Sequence, residues 1–180
     1  EAPRWIQALR DVAAPYQSPL DTLRLQLQER WPSGAMLEAV DGRPMFVGLA
    51  RVFQSGAGAH PHQDILRRDA GPGCERARSL LTQFAANVYL RPSAEGGELE
   101  LWSSRPGDEE FEDLRMPGSY GADRAKLPEP DAVLRPSAGD AILFDATRLH
   151  AVRPAVGGPR VTLSCFIGYR GPGLPLTYWS

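Results

Sequence analysis

Residues 139–169 read GDAILFDATRLHAVRPAVGGPRVTLSCFIGY. Three strand-like runs occupy this stretch, at 141–145, 150–153 and 160–169, and Gly157-Gly158-Pro159 supplies the turn before the last of them. The last run alternates. Val161, Leu163, Cys165 and Ile167 share an apolar face, and Arg160, Thr162 and Ser164 share a polar one. A polar face on such a strand meets water in an open sheet and lines a cavity in a barrel. Arg160 follows His150 by ten residues, a separation at which a hairpin would return the arginine beside the histidine, one strand over.

Upstream, the same alternation recurs. Residues 84–90 (FAANVYL) place Ala86, Val88 and Leu90 on one face and Ala85, Asn87 and Tyr89 on the other. Gly96-Gly97 marks a turn, and residues 98–102 (ELELW) the next strand. Residues 45–53 (MFVGLARVF) are apolar with aromatic and β-branched members and predict a buried strand. Residues 103–131 are polar, acidic and rich in Gly and Pro. A connection of that length predicts a lid or binding loop, with Tyr120, Arg115 and Arg124 as its contacts. Short strands joined by Gly- and Pro-rich turns predict a mainly β fold.

Before residue 45 the period changes. Residues 3–14 suit a short helix. Ser18-Pro19-Leu20-Asp21 is a helix start, with Ser18 as N-cap and Pro19 at the first helical position. Leu20, Leu23, Leu27 and Trp31 then form a core-facing stripe that Pro32 and Gly34 end. The expected organisation is one domain over residues 1–180, helical over about 1–40 and β over about 45–170.

Composition narrows the function. A net charge of −2 gives no electrostatic case for nucleic acid, and Lys126 is the only lysine. No apolar run approaches transmembrane length, and no signal peptide is visible from Glu1 onward. Two cysteines, Cys74 and Cys165, form no disulfide framework; they are expected reduced, in a cytoplasmic protein that does not bind membranes.

The chemistry concentrates in His60-Pro61-His62-Gln63-Asp64 and His150. On an extended segment His62 and Asp64 point the same way. With a histidine from another strand they give two imidazoles and one carboxylate, the ligand set of non-haem Fe(II) oxygenases, with three coordination positions left open. An arginine at 160 then suits bidentate capture of the far carboxylate of 2-oxoglutarate. His60 then reads as a loop residue or outer contact; the alternative, His60 with His62 and His150, would make a three-histidine cupin site.

With His62-x-Asp64, His150 and Arg160 at this spacing, the chain resembles the 2-oxoglutarate/Fe(II) dioxygenase superfamily. The flanking text is similar to its prolyl-4-hydroxylase-like branch, which includes small-molecule hydroxylases of bacterial specialised metabolism. The carriers are Tyr89-Leu90, Gly96-Gly97-Glu98-Leu99, Gly139-Asp140, Val152, Pro154 and Gly158-x-Arg160, over roughly residues 45–170. The resemblance implies a double-stranded β-helix, a cupin-like jelly roll. It implies Fe(II) on His62, Asp64 and His150, with 2-oxoglutarate as co-substrate and O2 as oxidant. Arg160 would hold the C5 carboxylate, helped by Tyr89 and by Thr162, with Asn87 as a further inward contact. Related halogenases replace the acidic ligand by a small residue; Asp64 is present here, so the expectation is hydroxylation, or a desaturation or cyclisation with the same ligands, of a small molecule or an amino acid. The rival expectations are a peptidyl or prolyl hydroxylase of the same family, a cupin-type enzyme working without 2-oxoglutarate, and a non-catalytic jelly-roll binding module using Trp102, Tyr178 and Trp179.

Overall fold

The computed structural model describes residues 2–71 and 73–180. In chain order the elements are helices α1 (Ala2–Ala13) and α2 (Pro19–Arg30), strands β1 (Ala35–Leu37), β2 (Ala39–Val40), β3 (Arg43–Pro44), β4 (Leu49–Phe53) and β5 (Ala59–His62), and helices α3 (Leu66–Asp69) and α4 (Glu75–Arg78). Next come β6 (Thr82–Arg91), β7 (Glu95–Gly96), β8 (Leu99–Leu101), α5 (Asp108–Leu114), a 3-10 turn at Arg124–Lys126, and β9 (Ala132–Leu134). The chain closes with β10 (Ala141–Asp145), β11 (His150–Val152), β12 (Ala155–Val156), β13 (Arg160–Tyr169) and β14 (Leu176–Trp179).

Two sheets face each other as a double-stranded β-helix. The six-stranded sheet runs β1-β14-β13-β6-β10, with β4 on β13 beyond the end of β14; the four-stranded sheet runs β5-β11-β8-β9. Among the described residues no ladder joins the two, so the roll is open rather than a closed barrel. Ala85, Leu99, Phe144 and Ala146 fill the space between them.

Helices α1 and α2 cover the outer face of the larger sheet. Leu20 is buried there with Ala86, Cys165 and Ile167, and Leu23, Leu27 and Trp31 pack against the same cluster. Ser18 starts α2 as its sequence requires: its hydroxyl accepts from the Asp21 N–H at 3.0 Å. Ser18→Ala is expected to cost about 1 kcal/mol, read as a fall of roughly 2–4 °C in Tm; an unchanged Tm would mean that the cap is redundant.

Three expectations need correcting. Residues 45–48 are not strand, and β4 is an edge rather than a buried strand: Leu49 and Val52 are exposed. An arginine mid-run and a partner on one side only explain this. β1 and β14 were not anticipated; β14 lies antiparallel on β13 and parallel to β1, burying Tyr178 and Trp179 as packing residues. Most of residues 103–131 packs down instead of standing free. Phe111 and Ala122 join Trp102, Leu149 and Ala151 against the smaller sheet. Arg115 pairs with Glu112, and Arg124 pairs with Glu129 and lies over the Trp102 ring. Only Tyr120 of the three proposed lid residues reaches the histidines. Among the described residues no helix is long and apolar enough to cross a membrane.

Candidate active site

The pairing of β5 with β11 sets the centre of the pocket. His62 and His150 are register partners across that ladder, so their side chains emerge together and their ring centroids stand 4.3 Å apart. Asp64 follows two residues after His62, just past the end of β5. Its N–H donates to Ala146 O at 2.9 Å, and the neighbouring Gln63 amide donates to Thr147 O at 2.7 Å. These bonds pin residues 63 and 64 onto the β10–β11 connection and aim the carboxylate at the imidazoles.

The three side chains converge. Asp64 Oδ2 lies 3.2 Å from His150 Nε2 and 3.8 Å from His62 Nε2, and one donor atom from each residue lies within 4.8 Å of the others. His62 Nδ1 is 2.7 Å from His60 O, and His150 Nδ1 is 3.0 Å from Arg148 O. Carbonyls only accept, so each Nδ1 carries its proton and each Nε2 lone pair faces the shared point. Burial, with His150 alongside, pushes the His62 pKa down to about 4, which leaves a neutral imidazole at neutral pH. Burial alone would raise the Asp64 pKa, but His150, His62 and Arg51 together hold it below the usual carboxylate value. A neutral imidazole and an ionised carboxylate are the forms that ligate a divalent cation.

His60 stands outside this cluster. Its side chain is exposed; its carbonyl orients His62, and its N–H donates to Tyr120 Oη at 3.1 Å. The Tyr120 ring meets His62 edge-on at 5.6 Å.

Arg160 reaches the pocket from the opposite wall. It does not sit one strand over from His150: β11 belongs to the smaller sheet and β13 to the larger, because β12 pairs with β7 between them. The arginine therefore faces the histidines across the pocket. It is 3% exposed, its Nη2 donates to Tyr89 Oη at 3.3 Å, and its guanidinium lies over the rings of Tyr89 and Phe53. Its Nε is buried and makes no hydrogen bond. Burial raises the Tyr89 pKa, opposed by Arg160, so the phenol keeps its proton. A register shift at Val161/Thr162 bulges Leu90 out of β6 and brings Tyr89 opposite Thr162. Thr162 and Asn87 both line the pocket. Gly97 is required beside Arg160: its φ is +73°, and a Cβ there would crowd Ser93 Oγ and the Arg160 side chain.

Among the pocket residues that the sequence did not single out, two stand out. Arg51 and Phe53 sit on β4 two residues apart, on the inner face with Leu49. The available signal was a charged residue inside an apolar run, at even spacing from Leu49 and Phe53.

The 2OG-Fe(II) oxygenase superfamily model matches residues 47–168. Among curated proteins the chain is 33% identical over 165 residues to L-gamma-glutamyl-L-propargylglycine hydroxylase of Streptantibioticus cattleyicolor, covering 90% of this chain and 59% of that protein. It is 30% identical over 162 residues to the PKHD-type hydroxylase PiuC of Pseudomonas aeruginosa, covering 82% and 61%. The chain thus spans about three-fifths of the length of these relatives. A solved N-substituted L-amino acid dioxygenase from Burkholderia ambifaria, in complex with alpha-KG, shares the fold with a TM-score of 0.63 at 18% identity, covering 99% of this chain and 67% of that one.

Proposed function

The chain belongs to the 2OG-Fe(II) oxygenase superfamily, and from that premise we propose that it is an Fe(II)- and 2-oxoglutarate-dependent dioxygenase that hydroxylates a small molecule of the amino-acid or short-peptide kind. The observation that carries the proposal is the convergence of His62, Asp64 and His150 opposite a buried guanidinium whose Nε has no partner. A buried, unpaired N–H on a charged group is costly unless something arrives to accept from it, and a carboxylate does so. The residues present therefore fit both groups: two imidazole nitrogens and a carboxylate oxygen for the ion, and Arg160 with Tyr89 for the co-substrate.

When bound, Fe(II) and 2-oxoglutarate supply activation of O2 coupled to oxidative decarboxylation of 2-oxoglutarate to succinate and CO2. Asp64, His62 and His150 would hold the ion through one carboxylate oxygen and two imidazole nitrogens. The Arg160 fork orients the co-substrate by its far carboxylate, with Tyr89 Oη beside it. Phe53, Leu99 and Phe144 keep the pocket wall apolar, which restricts water around the reacting centre. Thr162 and Asn87 stand as polar neighbours on the larger sheet. The named relative acts on a γ-glutamyl dipeptide, which supports an amino-acid-like substrate over a protein.

In the same proposal residues 1–180 act as one catalytic domain in the cytoplasm. Cys74 and Cys165 are free thiols, and burial pushes the Cys165 pKa up to about 12, so that thiol is unreactive. The test is anaerobic addition of 2-oxoglutarate to the Fe(II)-loaded protein, which is expected to give a visible charge-transfer band; no band overturns the proposal. Arg160→Lys keeps the charge but loses the fork, and is expected to raise the 2-oxoglutarate requirement about tenfold. An unchanged requirement would place the co-substrate elsewhere.

A further inference from the structure

We infer that Arg51 recognises a carboxylate on the substrate and so makes the pocket selective for anionic amino acids and peptides. The inference rests on the oxygenase reading above, since it assigns the site's second arginine. Arg51 projects from β4 into the same pocket as the three metal-site residues. Its Nε is buried without a hydrogen bond. Asp64 is the one acidic side chain among the described lining residues, and it is already engaged by His150 and His62.

The register separates its task from that of Arg160. On β4 and β13, Arg160 pairs with Phe53 and Thr162 pairs with Arg51, so the two arginines occupy successive inward positions on neighbouring strands. Arg160 is enclosed by Phe53 and Tyr89 and bonded to Tyr89 Oη. Arg51 lines the same pocket as His62, Asp64 and His150, and its Nε has no such partner. A guanidinium in that pocket is placed to meet an anionic group on a bound substrate.

Charge balance points the same way. The doubly positive ion and Arg160 are matched by Asp64 and the doubly negative 2-oxoglutarate. Arg51 is then a charged side chain of the pocket without a counterpart among the described lining side chains. An anionic substrate supplies it, and a neutral one leaves a partly buried cation uncompensated.

The test titrates the Fe(II)- and 2-oxoglutarate-loaded protein, without O2, with L-leucine, N-acetyl-L-leucine and L-γ-glutamyl-L-leucine, each against its carboxamide. Calorimetry reads the probe and the visible band reads 2-oxoglutarate. At least one acid is expected to bind about tenfold or more tightly than its amide. Arg51→Gln is expected to erase that ratio and Arg51→Lys to restore part of it, with 2-oxoglutarate affinity within about twofold in both, the range of a change that leaves a site's own contacts intact. The inference is overturned if Arg51→Gln keeps the ratio, if no acid is preferred by the unmodified protein, or if the variant loses 2-oxoglutarate instead. A missing band in the unmodified protein sinks the oxygenase reading, while the acid-to-amide ratio decides Arg51 separately.

Discussion

His150→Ala is expected to abolish Fe(II) retention and, with it, succinate formation from 2-oxoglutarate. The residue is 4% exposed, its Nε2 is the nearer of the two imidazole nitrogens to Asp64, and it stands directly across the ladder from His62. Losing an outer partner of a metal ligand alone costs about 10–100-fold in affinity; removing a ligand outright should exceed about 100-fold and leave Asp64 without its closest neighbour. His60→Ala provides the contrast. That side chain is exposed and serves the site through its carbonyl, which alanine retains. Its effect should stay within about 0.5 kcal/mol. Iron content after anaerobic reconstitution, measured with succinate yield, reads both. Equal iron loss in the two variants would favour the three-histidine site, and full iron in His150→Ala would remove the centre described here.

The legibility of this centre has a physical basis. His-x-Asp on an extended segment fixes a direction, and a distant histidine at the head of a strand can meet it across one ladder; both properties are local. The last strand's alternation was local too, and β13 spans Arg160–Tyr169, the residues its pattern marked. What the sequence did not carry is which sheet each strand joins. Arg160 was expected beside His150 and instead faces it from the opposite sheet, because hairpin length says nothing about a strand that leaves one sheet for another. Tyr178 and Trp179 read as candidate contacts of a binding module until β14 is placed on β13 and β1. Arg51 hid in an apolar run because its role depends on the inner face of an edge strand, a tertiary fact. The polar segment 103–131 looked free, since its anchors, Phe111 and Ala122, are sparse among acidic and small residues.

Glu38 was equally silent in the sequence, and its replacement is expected to have the largest effect on stability. The carboxylate is fully buried. It accepts from Arg76 Nε at 2.7 Å, Arg170 Nη2 at 2.6 Å, Thr177 Oγ1 at 2.7 Å and the Ala39 N–H at 3.0 Å. Those donors come from α4, the exit of β13, β14 and the start of β2, so one side chain ties four segments behind the larger sheet. The Arg170 side chain is itself only 4% exposed. Glu38→Gln puts N–H groups where an acceptor stood and strands that buried guanidinium, a change of about 3–5 kcal/mol in a total stability on the order of 5–15 kcal/mol. Burial alone would raise the Glu38 pKa, but the Arg76, Thr177, Arg170 and Ala39 bonds together hold it below the ordinary glutamate value. A carboxyl with a depressed folded pKa contributes its full stabilisation above the unfolded pKa, about 4.3, and loses it as pH falls through the lower folded value. Urea unfolding should therefore show the unmodified protein far ahead of Glu38→Gln at pH 7, with the gap closing below about pH 4. Because Glu38 does not line the pocket, the fraction of variant still folded should bind 2-oxoglutarate with unchanged affinity. A gap under about 1 kcal/mol at pH 7, or one that persists into acid, would show that this buried cluster is replaceable by solvent.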